Sequence, residues 1–109
     1  MNERIFSLVC ALLTNDYVVR VQRPGPGSYD ICDYEDGDEG EVDRCYNRVI
    51  SVPFSTLWIF RKYEWYMEYD ADAVAMLELD TEADTVLHHR EYEVDEFITN
   101  RVKESANND

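Results

Sequence analysis

The sequence is short of lysine, of cations in general and of long apolar runs. Only two of its ten basic residues are lysines, Lys62 and Lys103, against 24 acidic residues, so the 109-residue chain carries a formal charge of −14. That deficit repels nucleic acid and anionic membrane and argues against both as direct ligands. It leaves a basic partner, a metal or plain solubility as uses of the charge. Acid-rich, lysine-poor surfaces also occur in proteins adapted to high salt, where repulsion is screened. The stretch IFSLVCALL at 5–13 is too short to cross a bilayer. It has the length of a signal-peptide core, but Glu3 stands where a basic leader belongs and no A-x-A site follows. It is read as a helix, and the protein as cytoplasmic.

Cysteine is also sparse. Cys10, Cys32 and Cys45 are an odd number, which suits a reducing compartment better than a secreted disulfide framework. Cys32 and Cys45 flank the most acidic segment, and a bridge between them stays open.

Motifs that carry chemistry are missing. Zinc has no C-x2-C or H-x3-H spacing to use. His88 and His89 are neighbours, so on a strand they point to opposite faces, one half-buried and one exposed. A calcium loop beginning at Asp36 puts Glu41 where the invariant glycine belongs, and one beginning at Asp33 puts Asp38 there. No nucleophile elbow or phosphate loop accompanies the serines, cysteines and histidines. Paired carboxylates are too common in this chain to single out an acid–base pair. The expectation is a non-enzyme with no catalytic residue, no metal and no cofactor.

What is present suits an ordered fold. Hydrophobic residues make up 45% and aromatics 13%, enough for one modest core in a single domain spanning 1–109. Apolar residues recur at helical spacing over 2–14, and YVVRVQR at 17–23 reads as a strand before the PGPG break at 24–27. SYDICDYE (28–35) and VDRCYNRVISV (42–52) read as two strands of a hairpin whose tip is DYEDGDEGEVD. The alternation in LWIFRKYEWYMEY (57–69) predicts a strand or bent pair of strands, with Leu57 and Ile59 on one face and Trp58 and Phe60 on the other. AVAMLELD (73–80) and TVLHHREY (85–92) predict a hairpin about TEAD, and 94–106 a closing helix. The fold class is therefore α+β: a mostly antiparallel sheet of about five strands with N-terminal and C-terminal helices.

The charge is segregated. Residues 30–43 sum to −8 and residues 64–84 to −8, while residues 44–63 hold Arg44, Arg48, Arg61 and Lys62 and no acid. Interspersed signs would serve solubility as well, and like charges at this density oppose compaction. One explanation is geometric. Carboxylates two apart on a strand or four apart on a helix are spaced roughly like phosphates along a nucleic-acid strand. Two such ridges would fit the basic groove of a nucleic-acid-binding protein, with Asp33, Glu35, Asp36, Asp38, Glu39, Glu41, Glu64, Glu68, Asp70, Asp72, Asp80 and Glu82 as contacts. In charge and size this resembles the small acidic inhibitors that phages and plasmids use against restriction or CRISPR machinery; no motif is shared. Such an inhibitor would act in a host cytoplasm. A second reading is an immunity protein neutralising a basic nuclease-type toxin. A third is a salt-adapted structural or regulatory domain with no charged ligand. The plain alternative is solvated surface that prevents aggregation. The aromatic strand 57–69, where outward-facing, would offer a surface to a second copy of the chain.

Overall fold

The computed structural model describes residues 3–27, 29–68 and 71–106. Helix α1 (Glu3–Leu13) buries Ile5, Leu8, Val9, Leu12 and Leu13, the stripe that helical spacing places on one side. Asp16 then turns the chain with φ of +68° into β1 (Tyr17–Gln22). The PGPG turn reverses it, using positive φ at Gly25 and Gly27, conformations that glycine adopts without a Cβ clash. Strand β2 (Tyr29–Cys32) is followed by α2 (Gly40–Val49), β3 (Phe54–Arg61), α3 (Lys62–Met67), β4 (Ala75–Asp80), β5 (Thr85–Glu91) and α4 (Glu96–Ala106).

The five strands form one sheet in the order β2-β1-β3-β4-β5, and every neighbouring pair is antiparallel. The fold is α+β with helices at both ends of the described chain. Helices α1, α2 and α4 cover one sheet face. There Val19, Val21, Leu57, Ile59, Leu77 and Leu79 join the helical side chains in a single core. Burying each of these aliphatic side chains favours folding by about 1.5–3 kcal/mol. On the other face, α3 folds back over the end of β3. Trp65 packs on Phe60 with ring centroids 4.9 Å apart, and Val18 and Phe60 are buried. The rest of that face is open: Arg20 lies over the rings of Tyr29, Trp58 and Phe60 at 5.3–5.7 Å, and Phe54 and Leu87 are exposed.

Three expectations need correction. Residues 42–52 are not a return strand. Val42, Cys45 and Val49 are buried at helical spacing, so α2 packs its stripe on the core, and no hairpin surrounds DYEDGDEGEVD. The 57–69 strand ends at Arg61 and continues as α3; its alternation beyond Arg61 is coincidental, because Tyr63 and Met67 are exposed. Both histidines are exposed, although they face opposite ways: His88 stands opposite Glu78 and His89 opposite Leu77.

Candidate functional site

Strand register decides which acidic residues meet. Tyr17 pairs with Arg61, Cys32 with Val19, and Ala75 with both Ile59 and Glu91. The segments that follow Cys32, Arg61 and Glu91, and the one that precedes Ala75, therefore all leave the sheet at the same end. This end gathers Asp33, Glu35, Asp36, Asp38, Glu39, Glu41, Glu64, Glu68 and Asp72. Glu93 and Asp95 join them. Asp70 lies outside the described residues. Asp80 and Glu82 sit at the opposite end, where Asp80 pairs with Phe54 and Thr85, about 20 Å away along the six residues of β4.

A lysine and a tyrosine of α3 hold the two acidic segments together. Lys62 Nζ lies 3.2 Å from Asp33 Oδ1 and also donates to the Tyr34 carbonyl. The Tyr66 hydroxyl donates to Asp33 Oδ2 at 2.7 Å. Burial disfavours the charged form of Lys62, but the hydrogen bond and charge of Asp33 oppose it, and the net effect raises the ammonium's pKa.

The basic block at 44–63 does not separate the acids; it is consumed by them. Arg44 reaches Asp38 at 2.9 Å and Glu41 at 3.3 Å, and Arg48 lies 3.7 Å from Glu41. Arg61 lies 2.6 Å from Glu93 and 3.5 Å from both Glu64 and Asp95. All four cations of the block are thus engaged. Exposed pairs of this kind contribute about 0–1 kcal/mol each, so their main effect here is to position side chains. Among the described residues, Glu35, Asp36, Glu39, Glu68 and Asp72 are left exposed with no side-chain ion pair or hydrogen bond. Glu64, Glu68, Asp72 and Glu93 rim a hollow of about 630 Å³ walled by Tyr63, Met67 and Tyr92.

Several acids here have local structural duties. Helices α2 and α4 both begin at this end, and carboxylates beside a helix N-terminus are favoured by the helix dipole. Glu41 and Asp43 lie in the first turn of α2. Asp95 Oδ1 accepts the Ile98 N–H at 3.2 Å, capping α4, while Oδ2 accepts the Tyr17 hydroxyl at 2.6 Å. At the far end Asp84, with φ of +56°, turns its carboxylate onto the Arg4 and Ile5 N–H groups at 2.9 Å and caps α1. Asp80 Oδ1 accepts the Glu82 and Ala83 N–H groups, closing the β4–β5 turn.

Reasoning from sequence missed Asp95 and Tyr17. The signal for Asp95 was its position just before the apolar helical stripe of 97–102, where an N-cap belongs. Burial first, and the Asp95 carboxylate second, push the Tyr17 phenol well above its ordinary pKa. The neutral phenol is therefore favoured in the fold. Its contribution to stability is complete below the unfolded pKa of about 10 and is lost as pH rises above that value towards the raised folded one. Tyr17→Phe is expected to flatten the loss of stability above about pH 10. Urea midpoints measured across that pH range check this, and an unchanged slope would assign the alkaline loss to other groups.

Among the described residues, no group of three or more histidine, cysteine, aspartate or glutamate side chains is arranged to hold a metal ion, and no helix is long and apolar enough to cross a membrane. Comparison with protein families, curated proteins and solved structures finds no match for this chain.

Proposed function

We propose that this protein is an inhibitory binding protein that docks its acidic end onto a basic, nucleic-acid-binding surface of another protein, its carboxylates standing in for phosphates. One observation carries the reading: Glu35, Asp36, Glu39, Glu68 and Asp72 crowd one end of the sheet without a cation partner among the described residues, while Arg44, Arg48, Arg61 and Lys62 are already engaged. Their mutual repulsion is relieved when a cationic surface approaches. Long-range attraction would make association fast and salt-sensitive.

The experiment is capture from a host-like lysate on the immobilised chain, with elution from about 0.1 to 0.5 M salt. The captured protein is then purified and tested for competition between this chain and duplex DNA. Release within that salt range together with mutual exclusion of duplex supports the reading. A captured protein that binds chain and duplex at once overturns it. The aromatic hollow beside Glu68 and Asp72 favours one alternative, an immunity protein that plugs a toxin nuclease's active site with a single point of entry. In that case a short substrate competes as well as a long duplex does. Self-association through the 57–69 segment, the remaining partner in this proposal, would use the uncovered sheet face, since both edges of the central strand β3 are paired.

A further inference from the structure

Cys32 ends the edge strand β2, and Cys45 lies on the buried stripe of α2. Both are fully buried, both are free thiols, and both belong to the main core. Each thiol is the largest influence on the other's acidity, which makes the two side chains close neighbours. Arg48, one turn further along α2 and one-third exposed, brings its guanidinium Nη1 to 3.7 Å from the Cys32 sulfur, and the same group lies 3.7 Å from Glu41. Asp30 also acts on Arg48. The third cysteine, Cys10, is half-buried on α1 and lines a hollow with Phe6, Tyr34 and Val42. A thiol beside a guanidinium, with a second thiol as its neighbour, has the two parts needed for stepwise oxidation: a sulfur whose anion is stabilised and a neighbour that resolves the first product.

We propose that Cys32 and Cys45 are a redox-active pair that a small peroxide converts to an intramolecular disulfide, stapling β2 to α2. The Cys32 thiolate attacks one peroxide oxygen. The O–O bond breaks, hydroxide leaves and is protonated to water, and Cys32 becomes a sulfenic acid. The Cys45 sulfur then attacks the Cys32 sulfur. An S–S bond forms as the S–O bond breaks, and hydroxide departs with the Cys45 proton as a second water. Two thiols and one hydrogen peroxide thus give one disulfide and two waters, with the two electrons passing from sulfur to oxygen.

The assignment of roles follows from the surroundings. Cys45 first, and then the Arg48 guanidinium 3.7 Å from the Cys32 sulfur, hold the Cys32 thiol below its ordinary pKa against the opposing effect of burial, and Arg48 is the group that marks Cys32 as the attacking sulfur. The Cys45 thiol is pushed upward by Cys32 and by burial. Both thiols are buried, so peroxide needs a local opening, and the place for one is the edge: β2 has only four residues and a single neighbouring strand to part from. Peroxide is small enough to use such an opening. The disulfide would tether the start of the acidic segment 33–39 to the helix that follows it.

The test treats the folded full-length chain with hydrogen peroxide, then alkylates the remaining thiols under denaturing conditions and maps the peptides. The expected result is a loss of about 2 Da, a Cys32–Cys45 cross-linked peptide, Cys10 still alkylated and an increased urea midpoint. In Cys45→Ser the reaction is expected to stop at the sulfenic acid of Cys32, which a 1,3-diketone traps. Thiols that stay free in the folded chain and react only in urea overturn the proposal, as does oxidation confined to Cys10. The wild-type measurement stands without the variant, and neither outcome depends on what the acidic end binds.

Discussion

Replacing Asp95 with alanine is expected to lower the stability of the fold by about 3 kcal/mol. Its carboxylate is only 10% exposed, so what it satisfies is not readily handed to water. The loss combines the cap on the Ile98 N–H, the hydrogen bond from the Tyr17 hydroxyl and the charge facing Arg61. The cap alone is worth about 1 kcal/mol, and a hydrogen bond to a charged group about 1.5–3 kcal/mol. Asp95→Asn keeps an oxygen for the cap and is expected to lose less than half as much. Urea denaturation of the two variants checks both values. A loss under about 1 kcal/mol for the alanine variant would show that α4 is held by its apolar stripe alone.

The second large effect concerns binding. Reversing Asp36 and Glu68 together to lysine is expected to weaken association with the basic target by about 100-fold, close to 2.7 kcal/mol, mainly through a slower on-rate. The two residues lie on different segments that Asp33, Lys62 and Tyr66 tie together. Glu104→Lys, at the far end of α4 and paired only with Arg101 among the described residues, is the control, with an expected loss below about threefold. Binding kinetics at two salt concentrations make the measurement. Equal losses from both changes would mean that the target senses net charge, and the idea of a defined acidic surface would fail.

The architecture was largely legible in the sequence because most of it rests on local periodicity. The apolar stripe of 5–13 is α1, the β-branched run after Asn15 is β1, and the segments 73–80 and 85–92 that flank the four-residue turn TEAD hold the β4–β5 hairpin. The expected faces of Leu57, Ile59, Trp58 and Phe60 also match. α2 was misread because Gly37 and Gly40 look like a hairpin tip, and Val42, Cys45 and Val49 satisfy helical spacing only when the whole segment is considered. α3 was misread because Tyr63, Trp65 and Met67 extend the alternation of β3 by chance. The chain turns there because Trp65 finds Phe60, Tyr66 finds Asp33, and the Lys62 N–H finds the Asp16 carbonyl. None of these three contacts is local in sequence except the first.

The two acidic blocks were visible as blocks, but their meaning was not. Acidic residues at Glu41, Asp84 and Asp95 lie beside the N-termini of three helices, a local electrostatic duty hidden until the helices are placed.

The sequence by itself determined the charge of −14, the α+β class and most of the elements, because composition and the periods of two and 3.6 are properties of the chain alone. Only the tertiary structure decided which carboxylates share a surface. Antiparallel register sends the segments after Cys32, Arg61 and Glu91 out at one end and the Asp80–Asp84 turn out at the other. It also decided which acids are free, since Arg44, Arg48, Arg61 and Lys62 find their partners through ion pairs that, for Lys62 and Asp33, span 29 positions of sequence. Electrostatic energy depends on distance in space, and that distance exists only once the sheet has formed.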